Sequence, residues 1–230
     1  MFRRIQCLGR AFVMGDLHGC LPALRRALQQ VDFAPGRGDL LLSVGDLIDR
    51  GPQSLACLRL LTRPWFHAVM GNHERLLLDA LLGADTAAMA LWQYNGGGWY
   101  RGLSSAQRLW LTAWLPRLRD LPLALECQLH SGQRIGLVHA DPVLSDWSAL
   151  RSCLQQDPPT ALCQQLLWQR ARVQRALTEP DYQPRIQGVD LVCLGHTPLP
   201  APLKRGNLLW LDTGAYLGGP LSLLAVDDWV

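Results

Sequence analysis

Residues 44–52 read VGDLIDRGP. The apolar run before it, Leu40-Leu41-Leu42-Ser43-Val44, has the length of a buried strand. It ends abruptly in Asp46, Asp49 and Arg50, and Gly51-Pro52 then forces a turn. A polar loop with Asp49 capping the next helix would explain one such stretch in isolation. What decides the fold is that the pattern recurs. Ala11-Phe12-Val13-Met14 stops at Gly15-Asp16, and Trp65 to Met70 stops at Gly71-Asn72-His73. Between these runs, Leu21, Leu24, Leu28 and Val31 fall at helical spacing, as do Leu55, Leu58 and Leu61, and the stretch Leu76 to Leu82 follows suit. The first 82 residues therefore read as βαβαβα, which predicts a largely parallel sheet with helices against it.

Beyond residue 82 the texture changes. Residues 83–120 hold small residues, then LWQYNGGGWY, then a segment around Trp110 and Trp114; a helical lid or side wall is expected there. LPLALECQL, a turn at His130-Ser131-Gly132 and RIGLVHA predict a hairpin. A Gln-rich helical stretch over 150–177, a loop over 178–187 and strands at 189–194, 208–211 and 221–226 complete the chain. No repeat or composition break separates two domains, so one domain over 1–230 is expected.

The 230 residues are 49% hydrophobic and 18% charged, which suits a folded protein with a sizeable core. A net charge of +3 gives no electrostatic footprint for nucleic acid. Seven scattered cysteines with no C-x-x-C pair read as reduced thiols. The start MFRRIQCLGR is basic like a signal peptide, but Gly9-Arg10 interrupts any apolar region, and no run is long enough to span a bilayer. A cytoplasmic location, with no membrane and no nucleic-acid partner, is expected.

The strand ends carry the chemistry. They read G-D-L-H-G (Asp16, His18), G-D-L-I-D-R-G (Asp46, Asp49, Arg50), G-N-H-E (Asn72, His73, Glu74), V-H-A-D (His139) and L-G-H-T (His196). Five apolar runs each deliver a metal-compatible side chain at the carboxyl end, where open α/β sheets bind ligands. Aspartate, histidine and an amide oxygen suit a divalent first-row metal, and no thiolate joins them. Asp46, central in the order, is placed to bridge two ions. His67 and His130 lie at no such motif and read as ordinary histidines.

GDLHG, GDLIDRGP, GNHE, VHA and GHT together resemble the calcineurin-like metallophosphoesterases, and within them the phosphoprotein phosphatases of compact bacterial and lambda-phage type. The motifs run from residue 15 to residue 214. The resemblance implies an α/β fold of two packed mixed β-sheets flanked by helices. It implies one metal site of Asp16, His18 and Asp46 and a second of Asp46, Asn72, His139 and His196. Manganese is the expected pair, with iron or zinc compatible with the same ligands. His73 would be the general acid, oriented by Asp49; Arg50 would clamp phosphate together with Asn72. Arg170, ending L-L-W-Q-R, is similar to a second phosphate-binding arginine. The implied reaction is in-line attack of metal-bound hydroxide on a phosphorylated protein or peptide, with no phosphoenzyme. Asn95-Gly96-Gly97-Gly98-Trp99 resembles a segment near the site whose role is open. Asp212-Thr213-Gly214 resembles a strand end with a structural role.

The physical chemistry agrees: phosphoryl transfer is catalysed mainly by fixed positive charge, and arginine offers a planar fork matched to two phosphate oxygens. The nearest rival is a dinucleoside polyphosphate hydrolase, for which tryptophans in 92–114 would have to stack a base. A nuclease or cyclic-nucleotide phosphodiesterase fits the charge balance and the D-R-G arginine less well. An inactive binding module would be expected to have lost ligands, and here every position is filled. Glu74 is expected to support the site without being a ligand, Cys20 to pack at the opening of a helix, and Asp141 to face the loop.

Overall fold

The computed structural model describes residues 1–83 and 85–230. Its smaller sheet holds the strands expected at the amino end, β2 (Ala11–Met14), β3 (Leu40–Ser43) and β4 (Phe66–Ala68), mutually parallel, with β10 (Leu223–Ala225) antiparallel to β2. The larger sheet runs in the order β1 (Phe2–Gln6), β5 (Ala124–Gln128), β6 (Arg134–Val138), β7 (Leu191–Leu194), β9 (Leu208–Trp210) and β8 (Leu203–Arg205). Its hairpin β5–β6 is antiparallel, as expected, whereas β6–β7 and β7–β9 are parallel. Both sheets are mixed, as the resemblance implied.

Side chains alternate across each strand, so the central strands serve two cores. Val13, Leu42 and Val44 of the small sheet pack with Leu125, Cys127, Ile135, Leu137, Leu191, Cys193 and Leu209 of the large one, forming the layer between the sheets. Their neighbours Phe12, Met14 and Leu41 face outward and join Leu21 and Leu24 of α1 (Leu21–Gln30). On the far side, Gly136 leaves room for the indole of Trp147 in α6 (Trp147–Gln155), since a Cβ there would stand 2.6 Å from the ring. Burial on both faces explains why these strands read as continuous apolar runs.

The remaining helices are α2 (Ser54–Leu58), α3 (Asn72–Leu82), α4 (Thr86–Tyr94), α5 (Ser105–Arg119), α7 (Thr160–Trp168) and α8 (Ala171–Thr178). The helical wall expected over 83–120 is α4 and α5 joined by a 3-10 segment, Gly97–Gly102. The stretch expected as helical over 150–177 is three short helices, broken at Pro158-Pro159 and again at Gln169-Arg170. Among the described residues no helix is long and apolar enough to cross a membrane.

Candidate active site

β2 and β3 run in register, Met14 beside Ser43, so Asp16 and Asp46 leave the small sheet side by side. Asn72 and His73 open α3 directly after β4. From the large sheet, β6 and β7 end level, and the Gly195 amide donates to the His139 carbonyl at 2.8 Å, which brings His139 and His196 to the same place. Seven described non-glycine residues hold positive φ; five are His18, Asp46, Asp49, Arg50 and His196. Such left-handed backbone costs energy for residues carrying a Cβ and concentrates at functional sites.

The convergence centres on Asp46. His18 Nε2 and His139 Nε2 each lie 3.5 Å from Asp46 Oδ2, and His73 Nε2 lies 3.9 Å from it. His18 Nε2 stands 4.0 Å from Asp16 Oδ2. Asn72 Oδ1 is 2.7 Å from His139 Nε2 and 3.0 Å from His196 Nδ1. All six expected metal ligands are buried together. Two donor groups within metal-binding reach emerge, Asp16-Asp46-His139 and His18-Asp46-His73.

The tautomers suit a cation. His18 Nδ1 donates to the Ile48 carbonyl and His139 Nδ1 to the Val44 carbonyl, both at 2.8 Å, so each ring turns an unprotonated Nε2 inward. Burial pushes His18 down to about 3, against the pull of Asp46, and burial with the nearby His139 pushes His196 to about 3 as well. Both rings stay neutral, the form that binds metal. Burial, then the charges of Asp212 and Asp46, push the Asp16 carboxyl well above its usual range. Burial also opposes ionisation of Asp46, yet the neighbouring His139 and His73 and the His73 amide hold it below the usual carboxylate range. Asp212, expected to be structural, is buried against this group with Oδ2 unpartnered among the described residues, and burial raises its carboxyl too. Inward lone pairs and crowded carboxylates are a donor set that fits divalent cations.

A second unit stands beside it. His73 Nδ1 bonds Asp49 Oδ2 at 2.8 Å. Burial opposes protonation of His73, but the Asp46 charge and the Asp49 hydrogen bond outweigh it and raise the imidazole above its ordinary value. His73 Nε2 has no hydrogen-bond partner among the described residues. The exposed Arg50 donates to His18 Nε2 at 2.9 Å and lies over the Tyr216 ring at 4.4 Å. Arg170 is exposed at the start of α8, near enough for its charge to depress His196.

Glu74 supports the site as expected: its carboxylate accepts the amides of Asp46, Leu47 and Gly71 at 2.8–3.0 Å. Cys20 sits at the amino end of α1. Asp49 does not cap α2, whose amino end falls at Gln53. Asp141 faces the loop as expected, accepting the Val143 amide, and it is buried there by its pairing with Arg172. Sequence reasoning also missed Tyr216, packed on His18 with ring centroids 4.7 Å apart, and the indole contacts of Trp92 and Trp99 with Asp49. The NGGGW motif was the available signal for the latter.

The family model for the calcineurin-like phosphoesterases matches residues 9–200. Serine/threonine-protein phosphatase 1 of Salmonella typhimurium is 35% identical over 228 residues, covering 98% of this chain and 97% of that protein. The symmetrical bis(5'-nucleosyl)-tetraphosphatase of Paracidovorax citrulli is 39% identical over 146 residues, covering 60% of this chain and 46% of that one. A solved structure assigned provisionally as a diadenosine tetraphosphatase superposes with a TM-score of 0.64 at 21% identity, over 100% of this chain and 95% of that chain. The last shares the two-sheet fold. Carboxylates and imidazoles gathered from both sheets thus have an explanation in descent: the chain belongs to the calcineurin-like phosphoesterase family and is a hydrolytic metallophosphatase.

Proposed function

We propose that the chain hydrolyses phosphate monoesters of serine and threonine in proteins or peptides. The observation that carries this reading is the Asp49–His73 pair, buried and facing the metal ligands with Nε2 free. A raised imidazole held by a carboxylate is built to deliver a proton. A serine alkoxide is a poor leaving group and needs that proton as its bond to phosphorus breaks. A nucleotide phosphate, the leaving group of a dinucleoside polyphosphate, is already stable as an anion and needs it far less.

Asp16, His18 and Asp46 would hold one cation, and Asp46, Asn72, His139 and His196 the other, with manganese the expected metal. Bound there, the cations would supply charge for the phosphate oxygens and activate the attacking water. The side chains do the rest. Arg50 and Arg170 grip phosphate oxygens from the exposed side, and Asn72 sits against His139 and His196. His73 gives its Nε2 proton to the departing oxygen. Asp49 keeps Nδ1 protonated and the ring aimed.

The dinucleotide reading has one observation in its favour: Trp168, 37% exposed, stands edge-on to His196 at 5.7 Å and offers a face for a base. The tryptophans of 92–114 give it no support. Trp92 is fully buried, and Trp110 and Trp114 stack on each other at 4.5 Å. Manganese-loaded protein assayed on a phosphoserine peptide and on diadenosine tetraphosphate decides between the two. The expected outcome is faster turnover of the peptide, falling roughly 100-fold or more in His73→Asn. Faster dinucleotide cleavage, or near-normal peptide turnover by His73→Asn, overturns the proposal.

A further inference from the structure

Trp92 of α4 and the turn that follows that helix meet the site at Asp49 and at the backbone of Arg50. Asp49 is fully buried, and three donors fill its carboxylate. Oδ2 receives His73 Nδ1 at 2.8 Å and the Trp92 indole N–H at 2.9 Å; Oδ1 receives the Trp99 indole N–H at 2.7 Å. The same segment grips the neighbouring backbone, the Gly96 carbonyl accepting the Arg50 amide at 3.2 Å. A Cβ on Gly97 would stand 2.5 Å from the Trp92 ring, so the glycines of NGGGW let this turn lie flat on one indole while presenting the other.

We propose that Trp92 and Trp99 are positioning residues for the leaving-group acid, fixing the plane of Asp49 and through it the aim of His73 Nε2. This rests on the reading of His73 as that acid. Indole is suited to the task because it donates and has no lone pair of its own to accept the imidazole proton. It is also rigid and apolar, so it keeps water from the carboxylate without offering a second acceptor. With both oxygens occupied, Asp49 can neither rotate nor exchange His73 for solvent. The two rings, perpendicular at 5.8 Å, would pack equally well without their N–H groups pointing at one carboxylate, and it is that shared aim which separates positioning from filling.

The test is Trp99→Phe, which keeps an aromatic ring at a half-buried position and deletes the donor. With manganese present, kcat on a phosphoserine peptide should fall about 10-fold with KM little changed. On p-nitrophenyl phosphate, whose phenolate departs without a proton, it should fall no more than about 2-fold. In a His73→Asn background Trp99→Phe should cost nothing further on the peptide, because the group it positions is gone. Equal losses on both substrates, a full additional loss in that background, or an unchanged peptide rate would each overturn the proposal. Trp92→Phe is read the same way if circular dichroism shows Trp99→Phe unfolded. Should His73→Asn alone leave peptide turnover intact, the acid assignment fails and takes this proposal with it. A defect in His73→Asn without the substrate split in Trp99→Phe sinks this proposal alone.

Discussion

Gly195 shows how tightly single atoms are held around the candidate metal ligands. A Cβ at this position would lie 2.1 Å from Asp16 Oδ1 and 2.6 Å from Val44 Cγ2, and the same carboxylate accepts the His196 amide at 3.0 Å. Val44 cannot yield, because it belongs to the layer between the sheets. Gly195→Ala should therefore displace the Asp16 carboxylate rather than the backbone. The expected result is loss of one bound metal per chain by mass spectrometry and a fall in phosphatase turnover of at least ~100-fold, since fixed charge at the phosphoryl group is a dominant catalytic term. At this scale the residues that converge were legible in the sequence, because polar residues that end apolar runs stand out against them. The groups that orient them were not. Glu74 binding three amides and the carbonyls of Ile48 and Val44 fixing two histidines depend on backbone atoms, which leave no mark in residue spacing. The pairing of Asp141 with Arg172, 31 residues away, leaves no mark in spacing either.

Elements obey the same logic one level up. β2, β3 and β4 were legible because burial on both faces makes them continuous apolar runs. β1, FRRIQ, is not, and its basic start resembles a targeting signal more than a strand. It is an edge strand of largely exposed residues, pairing in parallel with β5 alone, so neither alternation nor an apolar run announces it. What secures that edge is α6. Trp147 is 1% exposed, meets Phe2 edge-on at 6.0 Å, and donates to Glu126 Oε2 at 2.9 Å, while Arg4 pairs with the other oxygen. Trp147→Ala removes the ring from the outer core and strips a buried carboxylate of one donor. We expect a loss of about 3–5 kcal/mol of stability, read from urea denaturation followed by circular dichroism. Turnover per folded molecule should stay close to the parent value, because α6 contributes no residue to the metal-binding groups. A stable variant with impaired turnover would show that this face communicates with the site.

The whole molecule is two sheets that share one apolar layer and one polar cluster. Asp16, Asp46 and Asn72 come from the small sheet, and His139 and His196 from the large one, so a cation bound among them ties the sheets together at the carboxyl ends of their strands. The same charges that hold a cation oppose folding without one. Burial raises Asp16 and Asp212, and Glu74 is pushed up to about 7 by burial and by Asp46. Positive charge placed among them relieves that cost, and it does so only in the folded chain, because the ligands are strangers in sequence. Metal binding should therefore appear as stability. At free metal 100-fold above Kd the linkage amounts to about 2.7 kcal/mol. In a chain of this length that is a rise of roughly 5–10 °C in Tm over chelator-stripped protein. Asp46→Asn, lying between both donor groups, should abolish most of the rise while leaving the metal-free melt similar or higher, since it removes one of the crowded charges. Equal melting of stripped and manganese-loaded protein, with metal shown to be bound, would mean that the two sheets are held by their apolar layer alone and that the cluster serves only chemistry.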